Sequence, residues 1–417
     1  MLTFEEKMKK DEMLKKKYDV SELWSWSRYK CYKDDSWEFF LNYVAKIEPD
    51  NESETMYLRL GETVHEILEK FVKDSSYTNK QMVKDFDDKV LECEIEGCRF
   101  VYGNEERNET LQASYVNSIQ HMLLNRKLDF SRKSILTEQF IYCKIGKYVF
   151  RGYADLIIKS NGYVIICDYK TSTIYSDKQI KELKGQLFIY AKAIHDTYKI
   201  PYSRIKIGWD FLKYVQVDMS LKLGKEKRRN IERRMIGGSL SSNVKTWLND
   251  KNLNSKYHYT PEQKNEYLVS LVAYNTLDVL PNEIKSKFKI HNDCFVECEY
   301  TEDEINDFCK EVETTLNEIK EKTKEWKETK DSSMFMWEVQ SKDEFRLTQL
   351  GKYSRNLHKP LDIYLKEKEK KEFDKNYISQ DDIDKIRNND GLDDLLNEVL
   401  GNDSNKKEDV NDDFFNE

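Results

Sequence analysis

Residues 151–173 read RGYADLIIKSNGYVIICDYKTST, and the Asn161-Gly162 pair at their centre decides how the chain folds. Asn-Gly between two apolar, alternating runs is the strongest short-range signal for a two-residue type I′ hairpin, because both turn positions require φ > 0. The turn sets the register: Ser160 faces Tyr163, and five steps away from the turn on each strand Asp155 comes opposite Asp168. Facing residues carry Cβ atoms about 4.5–5.5 Å apart, a spacing at which like charges repel. A positive group is therefore expected between the two acids. Lys170 lies two residues beyond Asp168, so the strand period aims it at the same face. Two readings stay open on the hairpin alone. One is a plain Asp-Lys ion pair at a sheet edge; the other is a cation site, because Mg²⁺ commonly takes one or two carboxylates and keeps several waters.

Composition bounds the classes. With 417 residues, 39% hydrophobic and 12% aromatic, the chain has enough apolar material for a true core and length for two or three domains. It contains no apolar run near the roughly 18 residues of a membrane span, and its Lys-rich start lacks a signal-peptide pattern, so a cytoplasmic protein without a membrane association is expected. The eight cysteines are scattered, without Cys-x-x-Cys, and read as buried thiols. The net charge of −8 is uneven: −7 of it lies in residues 391–417. The remainder is near neutral, and Lys225–Arg234 (KEKRRNIERR) reads as a basic helix, with Arg228 and Arg229 as candidate phosphate contacts.

Periodicity places the other elements. Leu60, Val64, Ile67, Leu68 and Phe71 recur at helical spacing as a buried stripe, and Gly61, His65 and Glu69 form a second line along its border. Over Gly61 a ligand could approach the imidazole and the carboxylate; alternatively His65 is a histidine satisfied at the edge of the core. Residues 80–127 read as polar helix. Strands are expected at 135–145, 148–158 and 204–217, a long helix at 177–196 and a strand over 294–300. On the long helix Gln186 and Tyr190 share a face. Thr301 and Glu304 form a capping box that opens an amphipathic helix to residue 326.

Taken in order, the chain carries Gly-x-x-x-His on a helix, Gly-x-x-Asp, Asp-x-Lys and Gln-x-x-x-Tyr. This set resembles the PD-(D/E)XK nuclease superfamily, and within it the RecB-type nuclease domain of phage exonucleases and CRISPR adaptation nucleases. The resemblance covers residues 21–217, with an echo at 294–355. It implies an α/β, restriction-endonuclease-like fold with a mixed central sheet flanked by helices, a helical insert and a disordered acidic tail. The expected divisions are 1–220 for the nuclease core, 221–290 for a mostly helical insert, 291–365 for a part returning to the core, and 366–417 for a linker and tail.

The resemblance also implies roles. His65, Asp155, Asp168 and the Tyr169 carbonyl would hold one or two Mg²⁺ or Mn²⁺ ions, with Asp155, Asp168 and Lys170 as the catalytic set. Glu69 and Glu138 are possible supporting acids, although a strand glutamate is more often merely exposed. Gln186 and Tyr190 would line a DNA channel, and Ser27 and Arg28 stand where an N-terminal motif touches nucleic acid. RecB-type members that hold an iron–sulfur cluster use one cysteine before the core and a trio near the C-terminus. Cys31 stands in the first position, but residues 334–354 contain no cysteine, which argues against a cluster here. The implied activity is a metal-dependent DNA nuclease, an exonuclease or end-processing enzyme of recombination, repair or replication in a bacterium or a phage-infected cell. A catalytically idle DNA-binding module and an RNA-directed nuclease are the alternatives. Phe414-Phe415 amid acids resembles the tips by which single-stranded-DNA-binding proteins recruit replication partners, against a plain solubilising tail.

Overall fold

The computed structural model describes residues 3–49, 55–101, 103–128, 131, 134–337 and 361–376, and the chain divides into two units, Met1–Lys330 with Met334–Arg355, and Asp331–Ser333 with Asn356–Glu417. The described part of the second unit is mainly one helix, Leu361–Asn376. The amphipathic piece at 383–399 and Phe414-Phe415 lie outside the described residues.

The first unit opens with helices α1 (Phe4–Tyr18), α2 (Trp26–Asp34) and α3 (Ser36–Phe39), followed by α4 (Met56–Lys73), α5 (Asn79–Ile95) and α6 (Glu105–Asn125). The apolar stripe predicted for α4 is the stripe it buries: Leu60, Val64, Ile67, Leu68 and Phe71 all lie in the core. Next come β1 (Ile135–Ile145), β2 (Tyr148–Ser160) and β3 (Tyr163–Lys170). Asn161 and Gly162 adopt φ of 50° and 80°, the left-handed pair that a type I′ turn demands. The ladder runs from Ser160↔Tyr163 to Leu156↔Cys167, the predicted register.

The helix expected over 177–196 is broken into α7 (Asp177–Leu183) and α8 (Gly185–Tyr198). Gly185 sits at the break because a Cβ there would lie 2.5 Å from the Trp26 ring. Strand β4 (Ile205–Phe211) pairs parallel with β3, so α7 and α8 form the crossover.

The strand expected over 204–217 proves to be two. After β4 the chain leaves the sheet at Leu212, whose N–H donates to the Lys170 carbonyl, and continues as β5 (Tyr214–Ser220) in a second sheet. Lys225–Arg234 is likewise not a helix: Glu226–Glu232 is strand β6, antiparallel to β5. Arg228 faces and pairs with Asp218, whereas Lys227 and Arg229 stand opposite Met219 and Val217 on this edge strand. Helices α9 (Ile236–Leu248), α10 (Lys251–Tyr257), α11 (Pro261–Tyr274) and α12 (Asn282–Lys285) follow, then β7 (Phe288–Ile290), which pairs with the other edge of β5. The second sheet and these helices share their own core around Val217, Ile231, Leu240 and Leu271. Finally β8 (Phe295–Cys298) pairs with β4, and α13 (Glu302–Thr329) starts at the predicted Thr301–Glu304 capping box.

Among the described residues the main sheet has the order β1-β2-β3-β4-β8, mixed in direction. Helices α4, α5 and α6 pack on the face that carries Cys167 and Tyr169, and α8 covers the face that carries Asp168. No described helix is long and apolar enough to cross a membrane.

Candidate active site

Three strands bring acids to one place. Thr137↔Leu156 and Gln139↔Ala154 flank the position at which Glu138 stands opposite Asp155, and the next step beyond Leu156↔Cys167 is Asp155 beside Asp168. Pairing skips Glu138–Asp155 between β1 and β2 and ends at Leu156↔Cys167 between β2 and β3. Between β2 and β3, Asp155 Oδ2 accepts the Tyr169 N–H at 2.7 Å, so the carboxylate occupies ladder space and the strands part. Glu138 has φ of 47°, the left-handed region that a strand glutamate enters only against a steric penalty of roughly 1–2 kcal/mol. Strain of this kind collects at functional sites.

Helix α4 supplies the fourth group. The line Gly61, His65, Glu69 runs beside its buried stripe, and His65 Nδ1 lies 3.3 Å from Asp155 Oδ1. The Tyr169 ring meets the His65 imidazole edge-on at 5.8 Å, which limits how the imidazole can turn. Glu69 is buried and ion-paired with Lys73. One ligand atom each from His65, Glu138 and Asp155 fall within 4.8 Å of one another, so these three could hold a divalent metal ion.

Asp168 is 3% exposed. Its Oδ1 accepts from Gln186 Nε2 at 3.0 Å, and Gln186 also donates to the Tyr190 hydroxyl at 2.8 Å. Tyr190, itself buried, donates a hydrogen bond to the Tyr153 carbonyl at 2.9 Å. This chain locks one oxygen of Asp168. The other, Oδ2, is ion-paired with Lys170 Nζ at 2.5 Å. A buried carboxylate facing a second acid, with one lysine to answer both, is costly unless a further cation completes the set. Together with an imidazole and two further carboxylates, the donor set fits a hard divalent ion.

The charge states follow from packing. Burial raises the Asp168 carboxyl above its ordinary value and neighbouring Asp155 adds to this, while Lys170 pulls it back. Burial alone would lower His65, yet the charge and hydrogen bond of Asp155, with Asp168 behind it, raise the imidazole above its ordinary value. Burial likewise opposes the ammonium of Lys170, but Asp168 outweighs it and Lys170 is held well above its usual range. Glu138 is raised by burial, then by the charges of Asp155 and Glu69. Each shift is what a cluster of acids short of positive charge produces.

The remaining candidates separate. Ser27 is exposed, and its hydroxyl meets that of Ser25 at 3.0 Å. Arg28 is committed to the local fold: it donates to the Leu23 carbonyl and to Glu22 and stacks 4.0 Å from the Trp24 ring. Arg228 and Arg229 are exposed on β6 of the second sheet. Sequence reading passed over the aromatic residues beside Lys170, namely Tyr175 and Trp209, and the buried Arg126–Asp210 pair behind Tyr169. The aromatic-rich stretch at 21–44 hinted at Trp26, but nothing in the chain joined Arg126 to Asp210.

Residues 23–333 match the family model of the PD-(D/E)XK nuclease superfamily. A comparison with curated proteins finds no match.

Proposed function

The chain belongs to the PD-(D/E)XK nuclease superfamily, and from that premise we propose that it is a Mg²⁺- or Mn²⁺-dependent deoxyribonuclease, an exonuclease or DNA-end-processing enzyme. The observation that carries this reading is the cluster of His65, Glu138 and Asp155, whose ligand atoms lie within 4.8 Å of one another, beside the Asp168–Lys170 ion pair. His65, Glu138, Asp155 and Asp168 would hold the ion, with the Tyr169 carbonyl as a further oxygen donor. When bound, such an ion lowers the pKa of a coordinated water and offsets charge on the phosphoryl oxygens.

The protein groups have separate tasks. Asp155 is oriented by the Tyr169 N–H, and Asp168 by the chain through Gln186, Tyr190 and Tyr153. Gln186 and Tyr190 therefore act on the reaction through Asp168. Lys170, kept as an ammonium by its acidic neighbours, offers its charge to a phosphate oxygen. A module that only bound DNA would gain nothing from three acids set beside a polyanion, which is the argument against the idle reading. Recombination, repair or replication in a bacterium or a phage-infected cell is the setting we propose, with a replication protein as partner of the acidic-aromatic tail.

The test is cleavage of linear duplex, circular duplex, single-stranded DNA and RNA with Mn²⁺ or Mg²⁺, beside Lys170→Ala and an EDTA control. Degradation of linear DNA by the wild type alone is expected. Absence of cleavage on every substrate overturns the proposal, and cleavage confined to RNA replaces the substrate.

A further inference from the structure

Beside the carboxylates opens a cavity of about 480 Å³. Trp26, Tyr175, Leu183 and Trp209 line it, and Lys170 and Gln186, the two residues that touch Asp168, close one end. Its occupant would sit within one nucleotide of the phosphate that Lys170 addresses. The volume lies in the range of small-molecule sites, mostly apolar with a few convergent polar groups.

The rings are held in place before anything binds. Tyr175 meets Trp209 at 5.4 Å and Phe211 at 5.0 Å, both nearly perpendicular. Trp26 packs on Tyr29 at 5.8 Å and Phe308 at 6.2 Å, and comes against the start of α8 because residue 185 has no side chain. Both Trp26 and Tyr175 nonetheless remain partly exposed. At the rim Lys30 is already paired with Asp34 and Glu38 stands nearby, while Asp35 is buried and accepts the N–H groups of Trp37 and Glu38 at the start of α3. Aromatic walls, with Lys30 already paired, select a flat, uncharged group rather than a phosphate.

We propose that this cavity seats an unpaired nucleobase of the nucleic-acid substrate, stacked against Trp26 and Tyr175, while the adjoining phosphate lies at Lys170. The proposal rests on the nuclease reading for the nature of its ligand. A base inside a duplex is paired and stacked, so it cannot enter. The site therefore favours single strands and frayed ends over intact duplex. Stacking is sequence-tolerant, because every base presents a π-face.

The test places 2-aminopurine, or an abasic nucleotide, at successive positions of a single-stranded oligonucleotide and measures equilibrium binding without a divalent ion. Wild type is expected to quench 2-aminopurine at one position, and an abasic nucleotide there to weaken binding by about 5- to 150-fold, the worth of one base–aromatic stack. Tyr175→Ala and Trp26→Ala should each weaken the intact oligonucleotide, make the abasic change nearly silent and leave duplex binding unaltered. Tyr175→Phe and Trp26→Phe should restore the stack, which separates lost stacking from misfolding. An abasic nucleotide without effect at every position in wild type overturns the proposal, as does an equal loss of single-strand and duplex binding in both alanine variants. Because binding is read without cleavage, a protein that seats the base but cuts nothing would refute the nuclease reading and leave the cavity assignment standing.

Discussion

Two buried acids on neighbouring strands behave in opposite ways. Asp168 on β3 and Asp210 on β4 are 3% and 2% exposed, and the parallel register sets Asp168 beside Trp209 and Tyr169 beside Asp210. They therefore leave opposite faces of one sheet. Asp210 is fully served: Oδ2 meets Arg126 Nη1 at 2.9 Å and Oδ1 accepts the Cys294 N–H at 3.0 Å. Burial works against the Arg126 guanidinium, but Asp210 outweighs it and raises its pKa further. Asp168 has one oxygen on Gln186 and the other on Lys170, but a second acid is adjacent and the one lysine must answer both. The first arrangement ties α6 to the sheet and leaves nothing for a ligand to add. The second leaves a deficit of positive charge, which is what makes it a candidate metal centre.

The largest expected effect lies on the side short of positive charge. Asp168→Asn should lower cleavage by at least about a thousandfold, comparable to deleting a principal electrostatic group, while stability measured by urea unfolding should hold or rise, because a buried charge beside Asp155 is gone. A clear loss of stability in Asp168→Asn would erase the distinction. On the satisfied side the order reverses. Asp210→Ala strands a buried guanidinium and should destabilise by about 3–5 kcal/mol in the same unfolding experiment, leaving the residual activity of the folded fraction intact. If Asp210→Ala unfolds no more easily than wild type, the pair is not the brace described.

Gln186→Ala tests the link between α8 and Asp168. It removes a positioning hydrogen bond, so activity should fall about 10- to 100-fold, with a larger change in kcat than in KM. A changed KM alone would move Gln186 from positioning to substrate contact.

The smallest effect is on pH. Burial, then the charge of Arg233, depresses the His121 imidazole on α6 to about 4. The folded protein therefore refuses a proton that the unfolded chain accepts near its ordinary value of about 6.5. This contribution to stability is whole above about pH 6.5 and drains away as pH falls toward 4. Unfolding midpoints should decline over that window, and His121→Gln should flatten the decline.

Much of the site was legible because it is local. The Asn161-Gly162 turn leaves one register, which brings Asp155 and Asp168 together, and helical spacing alone puts His65 on the border of the α4 stripe. What escaped was non-local or ambiguous in period. The chain at 204–217 reads as one apolar run, but β4 and β5 belong to different sheets, β5 pairing with Phe288–Ile290 and Glu226–Glu232. The basic run at 225–234 is compatible with a helix by charge, and β5 made it a strand. Glu138, read as a supporting acid that could as well be merely exposed, comes within reach of His65 and Asp155, and no periodicity signals its left-handed backbone.

By itself, then, the sequence determined the turn, the register, the apolar stripe and the order of chemical groups along the chain, because each depends on φ preferences and side-chain periodicity within a few residues. Tertiary structure alone decided which buried acid would have its charge fully answered. Arg126 reaches Asp210 across 84 residues, whereas Asp168 has Lys170, two residues along its own strand, which Asp155 also draws on. Whether a buried charge is a brace or a binding site depends on the partners that packing delivers, and packing is settled by the whole core at once.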